Sequence, residues 1–154
     1  MKSILTILAL AIFAIIPAAL ADNHSTHKDM GKNDAKEIIS PQVNAVIFYS
    51  DTCGSCKILE PKMMDAMAVI NTDRINVVKL DFSNEATIEA SKISAKENNV
   101  GTTLQAYGVK TGFVVLVDNE GNEIGKISVD DSAEDIATKL TTAALSMKIA
   151  KDAV

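Results

Sequence analysis

Val46-Ile47-Phe48-Tyr49-Ser50-Asp51-Thr52-Cys53-Gly54-Ser55-Cys56-Lys57 is the stretch that decides how this chain of 154 residues is read. It opens as an apolar, β-branched and aromatic run and closes where helical spacing begins. The two cysteines of the chain, Cys53 and Cys56, stand at that change. A helix start presents unpaired backbone N–H groups and the positive end of the helix dipole, so a thiolate placed there is stabilised and its pKa falls. The two-residue gap lets Cys56, one turn along, reach back to Cys53 and close a disulfide. The pair reads as a dithiol/disulfide switch.

Three other uses of such a pair compete with that one. An inert staple across so short a loop removes little chain entropy and adds little stability. Structural zinc needs about four ligands, whereas the chain has no third cysteine and its two histidines, His24 and His27, lie in a polar stretch upstream. Copper(I) held by the two sulfurs is compatible with the residues.

Working outward, Val43 to Tyr49 predicts a buried strand, and Cys56 to about Ile70 a helix. Ile58, Leu59, Met63, Ala66, Met67 and Ile70 recur there at helical spacing, and Pro61 should bend the helix. Met63, Met64 and Met67 read as core filler before soft-metal ligands. Ile75 to Phe82 predicts a second strand. Glu85 to about Asn98 predicts a helix with the modest stripe Ala86, Ile88, Ala90 and Ile93. Val100 to Val109 reads as irregular or weakly helical. Phe113 to Val117 and Glu123 to Val129 flank a turn at Asp118-Asn119-Glu120-Gly121-Asn122 and make a hairpin. Ser132 caps a last helix with Ile136, Leu140, Ala144 and Met147 on one face. The order β-α-β-α-β-β-α predicts an α/β fold with a central mixed sheet flanked by helices.

The N-terminus carries a targeting pattern. Lys2 precedes an uncharged apolar run from Ile4 to Leu20, and Ala19-Leu20-Ala21 has the small-x-small form of a cleavage site. Residues 1–21 are expected to be a signal peptide cleaved after Ala21, residues 22–36 a flexible polar leader, and residues 37–150 one folded domain. Cleavage removes Lys2 and no acidic residue, so the net charge of -5 becomes about -6. An acidic chain with one arginine, Arg74, argues against nucleic acid and anionic membranes as partners. Export to the periplasm, or secretion otherwise, places the cysteines where disulfides persist, with no stable membrane insertion after cleavage. Such a cleavage would also leave Asp22-Asn23-His24 at the new terminus, where the amine, two amides and the His24 imidazole can wrap Cu(II). The competing reading is a polar leader with chance histidines.

From Val43 to Leu145 the chain resembles the thioredoxin superfamily. Cys53-Gly54-Ser55-Cys56-Lys57 looks like that family's Cys-Gly-Pro-Cys-Lys segment, Pro61 falls at its helix kink, and Phe113 to Asp118 with Gly121 looks like its terminal hairpin. The resemblance implies a thioredoxin-like fold and an exported thiol-disulfide oxidoreductase. It implies Cys53 as the nucleophile and Cys56 as the resolving thiol, with Gly54 and Ser55 setting the reduction potential and Lys57 and Pro61 as motif neighbours. It implies no cofactor beyond the redox-active disulfide, and as partners the thiols and disulfides of exported proteins together with a redox partner of unknown identity. A monomer is expected. The alternatives are a copper-binding or copper-delivery protein using the same cysteines, and a non-catalytic thioredoxin-like binding module.

The chain departs from the family at three places. Thr52 replaces the tryptophan before the first cysteine. Ile47 replaces the buried aspartate that helps deprotonate the resolving thiol, and Asp51, though near, would raise a thiol pKa. Thr111-Gly112 stands where the family places a residue and a cis-proline before the hairpin strand. A cis bond without proline costs about 3 kcal/mol, so this one is expected to be trans. Thr111 and Gly112 are expected to line the dithiol and to read the partner through their backbone. The stretch from Ser83 to Gly108 is also longer than its thioredoxin counterpart by about two to three helical turns.

Overall fold

The alternation of the central strand sets the architecture. In β1 (Val43–Tyr49), Val43, Ala45 and Ile47 point to one face of the sheet, and Val46 and Phe48 to the other. A computed structural model describes residues 43–152. In it, β1 is followed by α1 (Gly54–Ala68), β2 (Ile75–Asp81), α2 (Glu85–Glu97), α3 (Gly101–Tyr107), β3 (Phe113–Asp118), β4 (Glu123–Ser128) and α4 (Ala133–Asp152). The four strands lie in the order β2-β1-β3-β4. β1 pairs parallel with β2 and antiparallel with β3, and β3 pairs antiparallel with β4. The expected mixed sheet flanked by helices is the sheet observed.

Helices cover the two faces separately. Leu59, Met63 and Ala66 of α1 and Ile136 and Leu140 of α4 pack on Val43, Ala45, Val114, Leu116 and Ile127. On the other side, Ala95 and Val100 pack with Val46, Phe48, Val78, Leu80, Val115 and Val117. Lys62 ties α1 to the far end of the chain by donating to the carbonyls of Val129 (2.7 Å) and Asp131 (2.9 Å). Ser132 caps α4: its hydroxyl accepts the Asp135 N–H at 3.1 Å, and the Asp135 carboxylate accepts the Ser132 N–H at 3.0 Å.

Two expectations from helical spacing fail. Ile58 is 53 % exposed, because α1 turns the Cys56-Leu59-Met63-Ala66 stripe inward and leaves Ile58 beside it. In α2 the apolar stripe is out of phase: Ile93 is 60 % exposed, while Ser91 and Ala95 are buried. Small residues let α2 lie close on the sheet edge. Ser91 stays satisfied there by accepting the Asp81 N–H (2.7 Å) and donating to the Asp81 carbonyl (3.1 Å). The order also gains an element, since the stretch read as irregular or weakly helical holds the helix α3, capped by Val100 at its start and by Gly108 (φ +60°) at its end. Residues 83–108 thus build two helices on the α2/α3 face.

Candidate active site

Cys53 has extended backbone angles (φ -79°, ψ 112°) and is the N-cap residue of α1. Its sulfur accepts the backbone N–H of Cys56 at 3.1 Å, the position in which serine or aspartate oxygen usually caps a helix. A thiolate at this atom is held by that N–H and by the helix dipole, the arrangement that lowers a cysteine pKa. Cys53 is disulfide-bonded to Cys56, with the Cα atoms 5.3 Å apart. The two sulfurs live in different surroundings: Cys53 is half-buried, whereas Cys56 is 4 % exposed. A partner sulfur therefore reaches Cys53 first. The Cys56 sulfur lies 3.7 Å from the Phe48 carbonyl, an acceptor for its S–H once the pair is reduced.

The turn that presents Cys53 is fixed by short-range bonds. The Cys53 N–H donates to the Ser50 carbonyl (3.2 Å), the hydroxyls of Ser50 and Thr52 bond at 3.0 Å, and the Asp51 N–H donates to Ser83 Oγ (2.9 Å). Gly54 and Lys57 are exposed and Ser55 is half-buried. A side chain on Gly54 would meet nothing within 4 Å, so its role is the turn and an open approach to Cys53. Pro61 lies inside α1, which continues beyond it to Ala68.

Opposite the cysteine turn lies Gly112, at φ +96°. A Cβ there would stand 2.9 Å from Ser55 Cβ and 3.3 Å from Cys53 Sγ, so the absence of a side chain is what admits this close approach. The Gly112 N–H donates to the Phe48 carbonyl at 2.9 Å. Proline at this position would lose that bond and cannot adopt a positive φ. Gly112→Pro is therefore a disruptive variant and no neutral probe of the site. The Gly112 N–H is engaged within the chain, which leaves Thr111 to offer backbone to a partner. Its N–H and C=O have no hydrogen-bond partner among the described residues.

Behind Cys56, between α1 and the β1–β2 edge, is a cavity of about 200 Å³. Ile47 forms part of its wall, together with Met63 and Met67 and with Glu60 and Lys79. Ile47 is aligned with Lys79 in the parallel β1/β2 register. Lys79 Nζ lies 3.2 Å from Glu60 Oε1 and 3.5 Å from the centroid of the Tyr49 ring. Sequence reasoning passed over Glu60 and Lys79. The signal that marks Glu60 is its spacing of four from Cys56, which puts both on one helix face. Among the described residues no three His, Cys, Asp or Glu side chains gather as a metal site, and no helix is long and apolar enough to cross a membrane. The signal peptide, the leader and His24 lie outside the described residues.

Comparisons with known proteins bear on the whole. The family model "Thioredoxin" matches residues 26–98, just under half of the chain, a stretch that includes β1, both cysteines, α1, β2 and α2. Among solved structures, Trxlp from Edwardsiella tarda EIB202 is similar over 68 % of this chain and 87 % of its own, with 19 % identity and a TM-score of 0.42. StoA from Bacillus subtilis is similar over 65 % of this chain and 83 % of its own, with 16 % identity and a TM-score of 0.46. No curated protein matches the chain. The matched stretch thus holds the strand, the helix and the cysteine pair of the site, and residues 26–98 are similar to thioredoxin, with a disulfide-forming pair of the kind a thiol-disulfide oxidoreductase uses.

Proposed function

We propose that the protein is exported and exchanges disulfides with other exported proteins through Cys53 and Cys56, with the pair itself as its redox group. The observation that carries this is the asymmetry of the two sulfurs: Cys53 caps α1 and is accessible, while Cys56 is buried beside it. Acting as reductant, the Cys53 thiolate attacks one sulfur of a partner disulfide and releases the other as thiolate. Cys56 then attacks Cys53, forms the internal disulfide and releases the second partner thiolate. The partner gains two electrons and the pair loses two. Run in reverse, the same steps oxidise a partner dithiol. The Ile4–Leu20 apolar run after Lys2 and the Ala19-Leu20-Ala21 pattern support export.

Thr111 supports a way of holding the partner. An extended partner segment lying along the unpaired Thr111 peptide groups would place a sulfur against Cys53, with Gly112 leaving the space. The test uses the full-length Cys56→Ser variant and a synthetic peptide containing a disulfide. The expected result is a covalent adduct at Cys53, found by mass and released by reductant, with none in Cys53→Ser. Absence of any adduct, with stoichiometric Cu(I) binding by the reduced wild type, would replace this reading with copper handling.

A further inference from the structure

The Cys56 sulfur poses a problem that its immediate neighbours leave unsolved. As a buried thiol it must lose a proton before it can attack Cys53, and burial in apolar surroundings disfavours the thiolate. The strand residue beside it, Ile47, has no proton to take or give. The cavity behind Cys56 is walled mainly by Ile47, Met63, Met67 and Val77, and its ionisable groups are few. They are Glu60 from α1, Lys79 from β2 and Tyr49 from β1, while Gly112 is what the β3 side contributes.

We propose that Glu60, held at the cavity mouth by Lys79, is the proton acceptor and donor for Cys56. The inference rests on the exchange reaction proposed above and names a residue for one of its steps. Three observations support it. Glu60 is four residues beyond Cys56 on the same helix face, and helical side chains lean toward the N-terminus, so the Glu60 side chain leans toward Cys56. Both line the same cavity, whose volume admits water between them. Lys79 Nζ, 3.2 Å from Glu60 Oε1, holds the carboxylate beside the cavity that Cys56 lines. In the resolving step the proton of the Cys56 thiol passes to the Glu60 carboxylate. The thiolate attacks Cys53 Sγ, the bond from Cys53 to the partner breaks, and the partner leaves as thiolate with the electron pair. Glu60 then returns its proton to solvent at the cavity mouth, where its side chain is 51 % exposed.

A two-phase reaction tests this on the full-length reduced protein with an aromatic disulfide that releases a coloured thiol. The first phase is attack by Cys53, and the second is release of the remaining coloured thiol by Cys56. In Glu60→Gln the second phase should slow on the order of tenfold to a hundredfold near neutral pH, and should rise again only as the solution becomes alkaline enough to ionise Cys56 directly. The first phase should change less than about twofold. In Lys79→Met the second phase should also slow, because Glu60 loses the partner that holds it at the cavity, while the first phase stays as in wild type. An exposed pair contributes little to stability, so both variants should fold. A second phase in Glu60→Gln with the rate and pH profile of wild type overturns the assignment. Absence of the first phase in wild type instead overturns the exchange reaction itself, so the two failures are told apart.

Discussion

Phe48 and Ile47 are neighbours in β1 and face opposite sides of the sheet, into surroundings that differ in kind. On the α2/α3 face, Phe48 is fully buried, with the Phe113, Tyr107 and Phe82 ring centroids at 4.9, 5.5 and 6.0 Å. That side is filled. On the α1/α4 face, Ile47 is half-buried and borders the cavity behind Cys56, next to the edge strand β2. The cavity lies where α1 leaves the β1–β2 edge uncovered, and Val77 there is 38 % exposed. One face is packed for cohesion. The other leaves room beside a sulfur that must change its protonation and its bonding.

If that division holds, truncation to alanine should cost more on the packed face than beside the cavity, by more than the difference in side-chain size accounts for. Phe48→Ala should lower unfolding stability by about 3–5 kcal/mol, since a full aromatic cluster would collapse only in part around the void. Ile47→Ala, at the rim of an existing cavity, should cost about 1–2 kcal/mol. Urea titration of both variants checks this, and equal losses would break the comparison.

The approach of Gly112 to the cysteine turn is the next largest effect. Gly112→Ala forces a side chain into positive φ and against Ser55 and Cys53. It should cost about 1–3 kcal/mol and slow the first exchange step while leaving the packed face intact. Normal stability together with slowed exchange would mean that contact at Cys53 matters and backbone strain does not.

Reducing the disulfide should matter least among the covalent and packing changes. It closes a loop only three residues in sequence separation, so the unfolding free energy from urea titration should fall by about 2 kcal/mol or less on reduction. A much larger loss would give the pair a structural duty that the comparison denies it.

Acid should act through the carboxyls that the fold holds low, Asp131 beside Asp118 and Asp135. Burial raises the Asp131 pKa, but bonds from Lys139 and from the Ser128 N–H outweigh it and hold the carboxyl below its ordinary value. A carboxyl depressed in the folded state contributes stability that is present above its unfolded pKa of about 4 and is lost as pH falls through the folded value. Asp131→Asn should therefore flatten the loss of stability as pH falls below about 4.

Particular residues show how much of this was legible in the sequence. The bounds of β1 match the expected Val43 to Tyr49, and α1, β2, the hairpin and α4 fall within a few residues of their expected places. Period-2 and period-3.6 patterns are strong in these segments because each buries one full face. α2 was mis-phased because it packs through Ser91 and Ala95, whose size and not their hydropathy suits a close approach to β2. α3 was left between irregular and weakly helical because its seven residues carry little stripe, Gly101 begins it and Gly108 ends it. At the site, the cysteine pair and the Gly112 position were legible, since each has a fixed place relative to strand and helix. Glu60 and Lys79 were not, because their meeting depends on the register of β2 against β1 and on how α1 crosses the sheet.

The most direct test of the central claim is the equilibrium of the full-length protein with mixtures of reduced and oxidised glutathione, read by thiol alkylation and mass. The account predicts a reversible two-thiol transition that disappears in Cys53→Ser, with glutathione retained on Cys53 in Cys56→Ser. A midpoint near about -270 mV would make the protein a reductant and one near about -120 mV an oxidant. A pair that never equilibrates, or one that exchanges as well without Cys53, would contradict it.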